Sequence, residues 1–187
     1  PVAIRSLGDN FFYQSAMRTM FQSMLTESRG HALEDEYNAV MRRAINAQGR
    51  VSSGINAVQL GTSFPTGNDL ADQLKMVARL IGARSSLGAK RQVFMVSLNG
   101  FDLHDFLPER HGPLLKQVDE AITAFYQATE ELGVSQQVTT FTASDFGRTL
   151  TSNGDGSDHG WGSHHLVMGG AVKGKRILGN FPVTAIG

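Results

Sequence analysis

A change in residue pattern near residue 91 constrains the fold of this 187-residue chain more than any other feature. Before this point apolar residues recur at helical spacing, whereas the run from Val93 to Leu98 is almost continuously apolar and ends in Asn-Gly. Such a run is typical of a strand that is buried on both faces of a parallel sheet. We therefore predict a mainly helical part over residues 1–90 and an α/β part over residues 91–187.

Four segments have the periodicity of amphipathic helices. We predict helices over residues 10–28, 34–60, 68–84 and 112–133, the first capped by Asp9 and the second interrupted between Gly49 and Gly54. The residues predicted to point inward from the third helix are Leu70, Leu74, Val77 and Ile81. The residues predicted to face the sheet from the fourth helix are Leu115, Val118, Ile122, Phe125 and Leu132.

Two further strands are predicted after the first one. One is Val138 to Thr142, and the other lies in "HHLVMGGAVKG". The helix between the first two strands implies a right-handed crossover, which lays those strands parallel. We therefore predict an α/β fold with a mostly parallel sheet flanked by helices, in which Asp102 and Asp145 follow strand ends at one edge.

Charge and composition exclude several classes of partner and site. Seventeen basic residues balance 17 acidic ones, so no overall field favours nucleic acid. No apolar run approaches the roughly 20 residues that span a bilayer, so we expect no membrane span. The chain has no cysteine, and any metal ligands must be His, Asp, Glu or backbone groups.

Potential metal ligands are concentrated in the second half of the chain, where five of the six histidines fall. Loops that follow consecutive elements of one sheet should bring them together at its edge. Imidazole and carboxylate ligands mixed in this way suit a divalent ion, with zinc expected and manganese, iron or calcium as alternatives. We predict a site for one or two ions formed by Asp102, His104, Asp145, Asp158 and His159.

Some of the candidate residues also have a plainer interpretation. Asp102 and Asp145, taken singly, are equally well explained as helix caps or turn formers. Arg148 has two interpretations of equal weight, because its guanidinium could grip a substrate oxyanion or pair with Asp145 or Asp158. His31, His164 and His165 are expected to be surface, capping or core residues rather than ligands.

Three segments carry a family resemblance: "FMVSLNGFDLH", "TTFTASDFGRT" and "GSDHGWGSHHLVMGGAVKGKRILG". Over roughly residues 91–182 the chain resembles the carboxyl-terminal portion of the bacterial family called domain of unknown function 1501. That family is similar to the alkaline phosphatase and sulfatase superfamily, which implies an alkaline phosphatase-like fold. The resemblance also implies metal-ligand positions at Asp102, His104, Asp145 and His159, and export to the periplasm by a twin-arginine signal.

Departures from the superfamily pattern shape the expected function. Phe146 stands where an Asp-His pair would have its histidine, and no strand that ends in a Ser or Thr nucleophile precedes Val93. We therefore expect an incomplete domain whose missing amino-terminal segment belongs to the same protein, with the Thr62-Ser63 and Ser52-Ser53 pairs as surface loops.

The expected function is that of an exported metal-dependent hydrolase-like protein that acts on a small phosphate or sulfate ester, with Arg148 as its catalytic residue. The alternative is a non-catalytic binding or assembly domain that keeps the fold with a decayed site. Neither interpretation specifies the oligomeric state.

Overall fold

The computed structural model describes residues 15–27 and 30–180, and helices form most of its regular structure. The helices are α1 (Ser15–Met24), α2 (Ala32–Ala57), α3 (Asp69–Gly82), α4 (Arg84–Leu87) and α5 (Leu107–Glu131), followed by a 3-10 turn at Ser135–Gln137. The predicted cap of the first helix, Asp9, lies outside the described residues. None of the described helices combines the length and apolar character that crossing a membrane requires.

The strands of the described residues are short, and all of them pair antiparallel. Strands β1 (Thr140–Phe141) and β4 (Val167–Met168) form one two-stranded sheet. Strands β2 (Arg148–Ser152) and β3 (Ser157–His159) form the other. The prediction of an α/β fold with a mostly parallel sheet flanked by helices was therefore wrong.

The apolar run Val93 to Leu98 explains this error, because it forms no strand. Val93 and Met95 are 93% and 96% exposed, whereas Val96 and Leu98 pack against the helical core. The side-chain amide of Gln73 on α3 holds the backbone of Ser97 through both its N–H and its carbonyl. One side of the run thus covers the helices, and a strand buried on both faces does not form.

The helical core is built by α3 packed against α5. The four residues predicted to point inward from α3 are all buried, as is Phe125 on α5. Leu115 is an exception, because it is 47% exposed. The inward residues of α5 face a helix rather than the predicted sheet, and four fully buried alanines lie within this core: Ala71, Ala78, Ala121 and Ala128.

The start of α3 is fixed by Asn68, which is itself buried. Its side-chain oxygen accepts a hydrogen bond from the backbone N–H of Ala71 at 3.2 Å, as an N-cap residue does. Its side-chain amide donates to the carbonyl of Gln117 on α5 at 2.8 Å. One residue therefore both caps α3 and ties it to α5.

Contacts divide the described residues into two compact units, one that ends at Val58 and also includes Ala83–Lys90, and one formed by Gln59–Gly82 and the residues from Arg91 onward. In the first unit, α2 runs without the interruption predicted at Gly49 to Gly54. Gly54 is buried there, and a side chain on it would lie 3.2–3.4 Å from atoms of Ala83, Ser86 and Leu87. This glycine therefore allows α4 to approach α2 closely.

Candidate metal centre

The β2–β3 hairpin and the loop after residue 100 together build the site. The four residues 153–156 form the connection between the two strands, with Asn-Gly at its start. The hairpin is attached to the loop by backbone hydrogen bonds from Leu107 to Asp155 and from Ser157 to Leu103. Residues more than 50 positions apart in the sequence are thereby brought side by side.

Asp102, His104 and His159, hereafter the two-histidine cluster, have potential ligand atoms that all lie within 4.8 Å of one another. One oxygen, Asp102 Oδ1, lies 2.8 Å from His159 Nε2 and 3.0 Å from His104 Nε2. The two imidazole rings are 5.0 Å apart between centroids. This group of two nitrogens and one carboxylate oxygen could hold a metal ion.

The environment favours the ionised form of Asp102. The hydrogen bond from His159, with smaller contributions from the charges of His104 and Arg148, lowers the pKa of this carboxyl below its ordinary value. The side chains of the cluster are 44–60% exposed, so an ion could reach them from solvent.

Asp158 lies on the far side of His104 from Asp102. Its Oδ1 atom is 3.0 Å from His104 Nδ1 and accepts a second hydrogen bond from Asn153 Nδ2 at 3.1 Å. These two hydrogen bonds, that of His104 first, lower the pKa of Asp158. Asp158 therefore touches the cluster through the outer nitrogen of a histidine.

Arg148 joins the loop to the hairpin. Its guanidinium donates hydrogen bonds to the carbonyl of Phe101, at 2.6 Å, and to the carbonyl of Ser157. It also pairs with Asp102 at 3.5 Å. Its partner among the described carboxylates is thus Asp102, where the sequence suggested Asp145 or Asp158, and its role in gripping a substrate oxyanion stays a prediction.

Phe146 packs directly on the cluster. Its ring stacks on that of His159, with the centroids 4.1 Å apart and an angle of 4° between the planes. The guanidinium carbon of Arg148 lies 5.0 Å from the centre of the Phe146 ring. Phe146 therefore fixes the orientation of a candidate ligand.

The structure leaves the other predicted ligand, Asp145, outside this arrangement. Within the described residues, its carboxylate makes no hydrogen bond or ion pair and does not belong to the two-histidine cluster. His165, which was not predicted to be a ligand, is hydrogen-bonded to the hydroxyl groups of Ser163 and Thr142. His31 is exposed at the amino end of α2.

The Ser and Thr pairs at 52–53 and 62–63, which the sequence placed in surface loops, have other surroundings. The Thr62 hydroxyl donates to Glu131 on α5 at 2.6 Å. Ser52 and Ser53 lie within α2, not in a loop. Within the described parts of the chain, no Ser or Thr hydroxyl hydrogen-bonds to the two-histidine cluster.

Sequence reasoning missed two residues that support the cluster, Asn153 and Phe146. Asn-Gly at 153–154 was a signal for a turn, but its polar flanks lack the alternating apolar residues that indicate a hairpin. No sequence signal indicated that Phe146 would stack on His159, because stacking depends on the path of both segments.

The fold and site together define a mainly helical protein in which a small β-hairpin and the loop after residue 100 bring together an Asp/His cluster that could hold a metal ion. Residues 10–186 match the family described as "Protein of unknown function (DUF1501)", and the chain belongs to this family. The match extends through the helical first half, beyond the segments that suggested the family. No curated protein and no solved structure matches the chain.

Proposed function

We propose that this protein is a metal-dependent hydrolase that acts on a small phosphate or sulfate ester and uses the two-histidine cluster to bind one divalent ion, with zinc expected. The observation that carries the proposal is the convergence of Asp102 Oδ1, His104 Nε2 and His159 Nε2. Two imidazoles and one carboxylate are a common zinc-binding set in enzymes, and three protein ligands leave a coordination position open.

The distances within the cluster support this proposal. Bonds of about 2.0–2.1 Å in a tetrahedral arrangement require ligand atoms roughly 3.3 Å apart. The nitrogens of His159 and His104 lie 2.8 and 3.0 Å from Asp102 Oδ1. These two distances are a few tenths of an ångström shorter than zinc requires, and the two histidine nitrogens lie within 4.8 Å of each other.

Local charge supports an anionic substrate. Asp102 and Asp158 carry two negative charges and Arg148 carries one positive charge. A divalent ion would leave this group with one net positive charge at an exposed surface. When bound, the ion supplies Lewis-acid stabilisation of the negative charge that develops during ester hydrolysis. Arg148 maintains the position of Asp102 and of the hairpin through its carbonyl contacts.

The first test is zinc binding by the purified protein, measured by isothermal titration calorimetry and by metal analysis after dialysis. We expect one zinc ion per chain, and we expect the substitutions Asp102→Ala and His159→Ala to abolish binding. Asp145→Ala and His165→Ala are the matched controls, since both residues lie outside the cluster, and they should bind zinc like the unaltered protein. Equal binding by all five proteins would rule out this site.

The alternative is a binding or assembly domain that holds the ion without catalysis. One observation favours it: no Ser or Thr hydroxyl of the described residues hydrogen-bonds to the two-histidine cluster. Turnover of an aryl phosphate and an aryl sulfate by the zinc-loaded protein separates the two functions. Hydrolysis that a chelator stops and that Asp102→Ala lacks supports the enzyme, and zinc binding without turnover supports the alternative.

Export to the periplasm stays a prediction.

A further inference from the structure

The two ring nitrogens of His104 face different groups. Nε2 points to Asp102 within the two-histidine cluster, whereas Nδ1 is hydrogen-bonded to Asp158 at 3.0 Å. An ionised carboxylate can only accept hydrogen bonds, so this contact places a hydrogen on Nδ1. A neutral imidazole with its hydrogen on Nδ1 carries its lone pair on Nε2, which is the form that binds metal through Nε2.

Asp158 is well placed to keep that contact. Asn153 Nδ2 donates to the same oxygen of Asp158 at 3.1 Å, so two donors fix the carboxylate. The same amide group donates to the backbone carbonyl of His104 at 3.1 Å. Asn153 therefore connects Asp158 to the main chain of the histidine that Asp158 orients.

The turn between β2 and β3 fits closely against His104. The side-chain oxygen of Asn153 accepts a hydrogen bond from the backbone N–H of Gly156 at 3.0 Å. A Cβ atom on Gly156 would lie only 1.9 Å from the carbonyl oxygen of His104, so the two backbones are in contact. Both the main chain and the ring of His104 are thus held by the hairpin.

From this geometry we infer that Asp158 and Asn153 are positioning residues that fix the ring orientation and tautomer of His104, and that Asp158 does not itself bind the ion. The inference rests on the proposed metal site and changes the role of Asp158 from ligand to support. Carboxylates that accept a hydrogen bond from the outer nitrogen of a metal-binding histidine typically contribute about 10–100-fold to metal affinity.

Zinc and cobalt affinities of the full chain, measured by competition with a chromophoric chelator, test this inference. Asp158→Asn should weaken binding about 10–100-fold while one ion per chain and the visible absorption spectrum of bound Co²⁺ are retained. Asn153→Ala should weaken binding in the same direction. Asp155→Asn is the matched control, because Asp155 lies in the same turn and contributes only its backbone carbonyl, and its affinity should be unchanged.

A second measurement does not require metal. Nitrogen-15 NMR of the imidazoles in the metal-free protein should show a hydrogen on Nδ1 of His104, and Asp158→Asn should reduce the occupancy of that hydrogen. Circular dichroism should confirm that the variant remains helical, which is expected because Asp158 is exposed.

The outcomes separate the two proposals. Unchanged affinity and an unchanged tautomer in Asp158→Asn would overturn the positioning role while leaving the metal site intact. A changed Co²⁺ spectrum, indicating the loss of a protein ligand, would show that Asp158 binds the ion directly. Absence of zinc binding by the unaltered protein would overturn the metal site itself, and with it this inference.

Discussion

The α3–α5 core and the two-histidine cluster are held together by different forces. In the core, apolar side chains are removed from water, and the helices meet through buried leucine, valine, phenylalanine and alanine residues. In the cluster, exposed side chains are held by directed hydrogen bonds and ion pairs, which contribute little to stability in water. The residues that stabilise the fold and the candidate metal ligands therefore lie in separate parts of this chain, and the two sets should respond separately to substitution.

The largest effect is expected from a cavity in the core. Leu74 on α3 is 4% exposed, and Leu74→Ala should lower the free energy of unfolding by about 2–5 kcal/mol, measured by urea denaturation. Leu115→Ala on α5 is the control. Because this leucine is half-exposed, its substitution should lower the free energy of unfolding by only about 0.5 kcal/mol. Equal losses for the two variants would contradict the division between core and surface described above.

An intermediate effect is expected where the hairpin meets His104. Gly156→Ala places a methyl group against the His104 carbonyl. Overpacking of this kind typically lowers the free energy of unfolding by about 1–3 kcal/mol. Because the backbones must separate, zinc affinity should also fall. Gly162→Ala is the control, because a Cβ atom there meets no atom within 4 Å. Retention of full zinc affinity by Gly156→Ala would show that the ligand positions do not depend on this contact.

A smaller, pH-dependent effect is expected at Glu131, which anchors the loop before α3. Hydrogen bonds from the Thr62 hydroxyl, and then from the backbone N–H groups of Gly61 and Thr62, lower the pKa of Glu131 below its ordinary value of 4.5. A carboxyl with a lowered native pKa adds stability that is fully present above 4.5 and is lost as the pH falls through the native pKa. Glu131→Gln should therefore reduce stability at pH 6.5 and have progressively less effect below pH 4.5.

Urea denaturation at pH 6.5, 4.5 and 3 measures this difference. Asp119→Asn, an exposed carboxylate on the same helix, is the control and should show a smaller difference at every pH. A destabilisation by Glu131→Gln that persists unchanged at pH 3 would mean that the loop is held by packing rather than by the ionised carboxylate.

The helices could be predicted from the sequence because their signal is local. The spacing of Leu70, Leu74, Val77 and Ile81 identified both α3 and its buried face, and helix periodicity needs no knowledge of the neighbouring elements. The prediction for α5 began at Gly112, next to Pro113, whereas the helix begins at Leu107 and includes Pro113 in its interior. A proline is expected in the first turn of a helix, as Pro108 is here, and Pro113 therefore gave a misleading start.

The site could be predicted only in part. The sequence indicated that Asp102, His104, Asp158 and His159 converge, and the structure places them together, although through an antiparallel hairpin rather than at the ends of parallel strands. Asp145 was included because it should follow a strand at the same edge. That strand is only two residues long and pairs with β4, so no shared edge brings Asp145 to the cluster. Which segments pair is a long-range property that local patterns do not specify.

The smallest effect is expected in the segment that was mistaken for a buried strand. Val93→Thr and Met95→Gln should each change the free energy of unfolding by no more than about 0.5 kcal/mol, because these side chains are almost fully exposed. Leu98→Ala is the matched control, and it should be clearly more destabilising, since Leu98 packs against the core. A strand buried on both faces would make all three substitutions costly, because a polar group at either of the first two positions would then be removed from water. Comparing the three unfolding curves therefore distinguishes a segment that covers the helices with one side from a strand inside a sheet.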